Sequence, residues 1–75
     1  MRAYKLTRTL SWHGDTEKIW ERYLDNMQKA VRLALIDCPT AVPHELSFSF
    51  LGTNRNIQVA RSGDNIYTIE TITIE

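Results

Sequence analysis

The chain has one cysteine, two prolines, three glycines and no excess of either charge, and each shortage closes off a class of protein. A lone Cys38 cannot form an intramolecular disulfide, which points to a reducing, cytoplasmic setting. Gly14, Gly52 and Gly63 stand far apart, so no glycine-rich loop is present to cradle a phosphate. Nine basic residues balance nine acidic ones. The chain therefore has no global field to draw it to DNA or to an anionic membrane, and it is not acidic enough to imitate DNA. Its apolar runs are too short for a signal peptide or a membrane-spanning helix. There are no internal repeats and no low-complexity segments.

What remains is a small soluble domain. At 75 residues the chain allows a single domain, residues 1–75. The hydrophobic fraction of 43% suffices for a core. A domain of this size buries only about 60–65% of its unfolded surface, so its stability margin is thin and a partner or a second copy would help.

Residues 2–12 alternate, with Tyr4, Leu6, Leu10 and Trp12 on one side and Lys5, Thr7, Thr9 and Ser11 on the other; Arg8 interrupts the first set. That is a half-buried strand. His13-Gly14-Asp15 breaks it, and Asp15 or Thr16 is suited to cap a helix. Over 16–37, Trp20, Tyr23, Leu24, Met27, Ala30, Val31, Ala34 and Leu35 recur at three- and four-residue steps and predict a long amphipathic helix. Asp25 and Lys29 form an i,i+4 pair on it, and Pro39 ends it.

Three strands are expected after the 38–43 loop. They are Glu45–Leu51 with Leu46, Phe48 and Phe50 inward, Arg55–Arg61 with Ile57 and Val59 inward, and Ile66–Glu75. Turns at Gly52-Thr53-Asn54 and Ser62-Gly63-Asp64-Asn65 join them as hairpins. Tyr67 and Ile69 are out of phase with Ile72 and Ile74, which predicts a β-bulge near Glu70-Thr71. The expected fold is therefore α+β: one long helix packed on a four-stranded antiparallel sheet, in the order β-α-β-β-β.

Catalysis needs convergent groups, and few candidates offer themselves. Cys38 and His44 lie six residues apart and could serve as nucleophile and base, but no third group is placed to orient them. Burial is the commoner fate of a free cysteine. His13, His44 and Cys38 match no zinc spacing. The expectation is a protein that is not an enzyme, with no cofactor and no metal. Arg2, Lys5, Arg8, Arg55 and Arg61 fall on strands and could line a nucleic-acid surface with Phe48 and Phe50. The phenylalanines share a phase with Leu46, however, which favours core packing, so nucleic-acid binding is the alternative reading.

The clue to protein binding is on the helix. At about 100° per residue, Ile36 falls nearly opposite Met27 and Leu33 about 120° from it. Scattered surface apolar residues are common, and the loop Ala41-Val42-Pro43 could fold back and cover these two; uncovered, they form a surface with Lys29 and Arg32. Leu33, Ile36, Lys29 and Arg32 are therefore the candidate partner-binding residues, for a protein partner or a homodimer. Residues 2–12 and 66–75 are candidate edges for strand addition.

In size, charge and element order the chain resembles small phage anti-CRISPR proteins, some of which are a single helix on an antiparallel sheet. That resemblance covers the whole chain and carries no motif. It implies a viral inhibitor acting in the host cytoplasm by blocking the surface of a defence complex. The element order also resembles the cystatin fold, and Gln58-Val59-Ala60-Arg61-Ser62-Gly63 is similar to that family's Gln-Val-Val-Ala-Gly hairpin. The chain departs from it by placing Arg61 and Ser62 before the glycine and by lacking the family's N-terminal glycine. The functional expectation is a non-enzymatic protein-binding inhibitor or regulator.

Overall fold

A computed structural model of the protein describes residues 2–38 and 47–73. The elements are β1 (Arg2–Trp12), β2 (Asp15–Leu24), α1 (Met27–Asp37), β3 (Ser49–Leu51), β4 (Asn54–Ser62) and β5 (Asn65–Thr73). The strands form one five-stranded antiparallel sheet in the order β2-β1-β5-β4-β3. This overturns the long helix on a four-stranded sheet. Residues 15–24 are a strand, the helix has 11 residues, and the order is β-β-α-β-β-β. The element order behind the anti-CRISPR and cystatin resemblances is thus not the order of this chain.

The hairpin at His13-Gly14 explains the difference. Trp12 pairs with Asp15, which leaves a two-residue loop, and both loop residues have positive φ, 51° for His13 and 82° for Gly14. Positive φ at both central positions is the requirement of a type I′ turn, whose twist matches that of the strands it joins. The chain is thereby folded back along β1, and Thr16, Ile19, Trp20 and Tyr23 are strand-forming types. The helical spacing was deceptive for two reasons. Trp20 and Leu24, four apart, share a face in a strand as well as in a helix. In addition, Arg8 pairs with Trp20 while Thr9 pairs with Lys18, so Ile19 is an extra residue at a bulge and the alternation of β2 is broken there.

The helix starts later, at a cap hidden inside the expected helix. Asn26 is extended, with φ −146° and ψ 132°. Its side-chain oxygen accepts from the backbone N–H groups of Gln28 at 2.7 Å and Lys29 at 3.4 Å, satisfying two of the helix's unpaired donors. The Asp25–Lys29 pair is present at 3.1 Å, and its hydrogen bond holds the Asp25 carboxyl below the usual range. Cys38 ends the helix in an extended conformation and donates its N–H to the Ala34 carbonyl at 2.9 Å, as suits a residue before proline.

Topology places the helix. The chain leaves the sheet from β2 on one edge and re-enters at β3 on the other, so the segment between them has to cross a face. α1 lies over β1 and β2. It meets the sheet through Ala30 and Ala34, both fully buried. The small side chains let it sit close to Leu6, Ala60, Tyr67 and Ile69, with which they form the buried core. Tyr4, Trp20, Leu24, Met27, Val31, Leu33 and Phe48 pack around this centre.

Two further expectations fail in β4 and β5. Gln58, Ala60 and Ser62 pair with Ile69, Tyr67 and Asn65, so they share the helix side of the sheet with the core, and Ile57 and Val59 point to the other side. The reason is space. Tyr67 and the end of α1 come close to β4, and the Cys38 thiol reaches the Ser62 hydroxyl at 3.5 Å, leaving room at Ala60 and Ser62 only for small residues. The register of β5 with β1 runs without interruption from Asn65 to Thr73, through Glu70-Thr71, so no bulge occurs there and Ile66 and Ile72 also face away from the helix. Leu46, His44, Ile74 and the 39–46 part of the expected loop and strand lie outside the described residues.

Candidate functional site

Two features stand out beyond the core: a polar cluster under the end of α1 and an apolar surface on the outside of α1. In the cluster, Arg8 projects from β1 on the helix side, which explains why a charge interrupts the apolar face of that strand. Its guanidinium donates to Asn65 Oδ1 through Nε at 3.1 Å and Nη2 at 2.8 Å, and to Asp37 Oδ2 through Nη1 at 3.3 Å. The Tyr67 hydroxyl donates to the same Asp37 oxygen at 3.1 Å. Asp37 is the last helical residue, where the helix dipole disfavours a negative charge; Arg8 and Tyr67 offset that. Burial, and then the neighbouring carboxylate, push the Tyr67 phenol up to about 12.

This arrangement consumes its own chemistry. Arg8 and Asp37 face each other, the phenol is held protonated, and among the described residues no buried side-chain nitrogen or oxygen lacks a hydrogen-bond partner. The cluster pins the end of α1 to β1 and β5. Among the described residues, no three His, Cys, Asp or Glu side chains are grouped to hold a metal. His13 sits in the hairpin turn against the edge of Trp12, with ring centroids 5.2 Å apart. The Cys38–His44 pair lies partly outside the described residues. No described helix is long and apolar enough to cross a membrane.

The five strand cations do not converge. Lys5 faces away from the helix and pairs with Glu70 at 3.3 Å; that hydrogen bond raises the Lys5 ammonium above the usual lysine value. Arg8 is committed to Asn65 and Asp37 on the opposite face. Arg61 shares the face of Lys5 across β5. Arg55 stacks over the half-exposed ring of Phe50, 5.4 Å from its centroid, and Arg2 is exposed at the start of β1. Phe48 packs on the core.

The outer side of α1 carries exposed apolar side chains. Of the four residues expected there, Ile36 is 75% exposed, and Lys29 and Arg32 are exposed. Leu33 instead turns inward and packs against the core. Its place is taken by Leu35, 42% exposed, which had been assigned to the buried stripe. The start of the helix at Asn26 was the signal for this. Once 16–24 is removed, the inward face is set by Ala30, Leu33, Ala34 and Asp37, and Leu35 and Ile36 are left outside it. Met27, Gln28, Val31, Arg32 and Leu35 line an open groove of about 410 Å³ along one side of the helix. Ile36 is adjacent to Arg32 and one residue from Leu35, so groove and exposed isoleucine form a continuous patch.

Comparison with models of known protein families, with curated proteins and with solved structures finds no match to the chain.

Proposed function

We propose that the chain is a non-catalytic protein-binding module, an inhibitor or regulator that acts by covering part of a partner's surface with the outer side of α1. The observation that carries this reading is the adjacency of Leu35 and Ile36, both exposed, to the apolar groove of Met27 and Val31. A small domain with so limited a core gains nothing for its own stability by leaving these side chains in water. Arg32 and the Lys29–Asp25 pair border the patch, so the complementary partner is an apolar ridge or helix with carboxylates beside it.

The test is capture from a lysate with the wild-type chain and with the Leu35→Asp/Ile36→Asp variant. Both residues are exposed, so the variant should keep its circular dichroism spectrum and melting behaviour. A partner held by the wild type and released by the variant supports the reading. The same proteins held by both, or none held by either, overturns it.

A further inference from the structure

Among the described residues, a second surface without a partner is a sheet edge. β2 is the outer strand of the sheet. It is ten residues long, and eight of them are exposed, Trp20 and Leu24 being intermediate. A long open edge carries a row of backbone N–H and C=O groups without strand partners, a template for another strand. The other edge, β3, has three residues and offers no such length.

The charges of β2 specify which strand fits. They read Glu17-Lys18-Ile19-Trp20-Glu21-Arg22, which is complementary to itself when reversed. We propose that β2 pairs antiparallel with the β2 of a second copy, about a two-fold axis normal to the sheet passing between Ile19 and Trp20, so that the two sheets become one. In that register Glu17 lies opposite the partner's Arg22, and Lys18 lies opposite the partner's Glu21. By symmetry each pair occurs twice. A slip of one residue in either direction places Glu17 opposite Glu21 or Lys18 opposite Arg22, like against like.

The bulge makes this register geometrically consistent. Antiparallel partners must point to the same face of the sheet. In an unbroken strand, residues 17 and 22 point to opposite faces, as do 18 and 21. Ile19 is the extra residue, and it shifts the phase. Glu17 pairs with Leu10 and Arg22 with Leu6, both on the helix side; Lys18 pairs with Thr9 and Glu21 with Thr7, both on the open side. Each proposed ion pair therefore brings together side chains on one face. Lys18 and Glu21 already lie 3.5 Å apart within one chain, so in the dimer four charges of alternating sign gather on the open face. Ile19 and Tyr23, now 44% and 64% exposed, would be covered at the same seam.

The experiment is sedimentation equilibrium of the full chain from micromolar to millimolar concentration, on the wild type, Lys18→Glu and Glu21→Lys. All the changed side chains are on β2, away from the outer side of α1, so the result is independent of the protein-binding proposal. The wild type is expected to dimerise. Each single variant puts like charges opposite at two positions and should weaken dimerisation at least about tenfold. Mixing the two variants should restore it as a heterodimer, because each then supplies the charge the other lacks. Intrachain repulsion cannot explain that rescue, since each chain keeps its own like-charged pair. A wild type that remains monomeric to millimolar concentration, variants that dimerise as well as the wild type, or a mixture with no heterodimer would each overturn the proposal.

Discussion

On the side of the sheet under α1, Leu6, Tyr67 and Ile69 are fully buried. On the opposite side Ile57, Val59, Ile66 and Ile72 are only half-covered and share the surface with threonines and the Lys5–Glu70 pair. Both faces carry aliphatic side chains, so composition does not separate them. What separates them is α1, which lies over β1 and β2 and covers one face only. The strands do not put their largest apolar residues on the covered side everywhere. In β4 they put Ala60 there and Val59 on the open side, because the covered side is where Tyr67 and the end of α1 already fill the space.

Removing a covered residue should have the largest effect. Leu6→Ala is expected to cost about 2–5 kcal/mol by cavity formation, enough to leave a 75-residue domain largely unfolded; urea denaturation measures it, and a cost below about 1 kcal/mol would mean that α1 does not close this face.

A pH titration examines the same face through Tyr67. Its phenol is raised from 10 to about 12 in the folded chain, so the unfolded state loses the proton first. The stabilisation is complete below pH 10 and is lost as pH rises through about 12, by up to roughly 2–3 kcal/mol. Thermal unfolding across this range should show the loss in the wild type, and Tyr67→Phe should remove the component due to this group.

The sharpest contrast is between neighbours in one strand. Ala60→Leu should destabilise by about 1–3 kcal/mol through overpacking, whereas Val59→Thr, one residue away on the open face, should stay within about 0.5 kcal/mol. Equal effects of the two substitutions would show that the open face is covered as well.

The edges of the sheet differ in a related way. β3 is protected by being short, one of the usual ways of guarding an edge. β2 is long and open, and it carries charges in an order that selects among partners. Residues 2–12, a candidate edge in the sequence, are instead the inner strand β1, and residues 66–73, the other candidate edge, lie in the inner strand β5, as the strand propensity of the run from Thr68 suggests; each is hydrogen-bonded on both sides.

Several features were legible in the residues alone. The alternation of β1, the hairpin turns at Gly52-Thr53 and Gly63-Asp64, and the inward phase of Tyr67 and Ile69 are local properties, set by turn geometry and by the two-residue period of a strand. The exposure of Ile36 could also be read, because its position relative to Ala30 and Ala34 does not depend on where the helix begins. The strand at 15–24 could not be read in the same way. A four-residue spacing satisfies both periodicities, and the bulge at Ile19 removed the alternation that would have distinguished them. His13-Gly14 and Asn26 were the local signs of the true arrangement, a hairpin turn and a helix cap.

By itself, then, the sequence determined a chain of mixed strands and one helix, the turns at Gly52-Thr53 and Gly63-Asp64, the exposure of Ile36, Lys29 and Arg32, and the absence of glycine-rich or disulfide chemistry. The tertiary structure decided which face of each strand is covered, which strands lie at the edges, and that Arg8 belongs with Asp37 and Tyr67 under the end of α1. These depend on contacts between residues far apart in the chain, and on the competition for space between β4, Tyr67 and the helix, which no local pattern of hydrophobicity records.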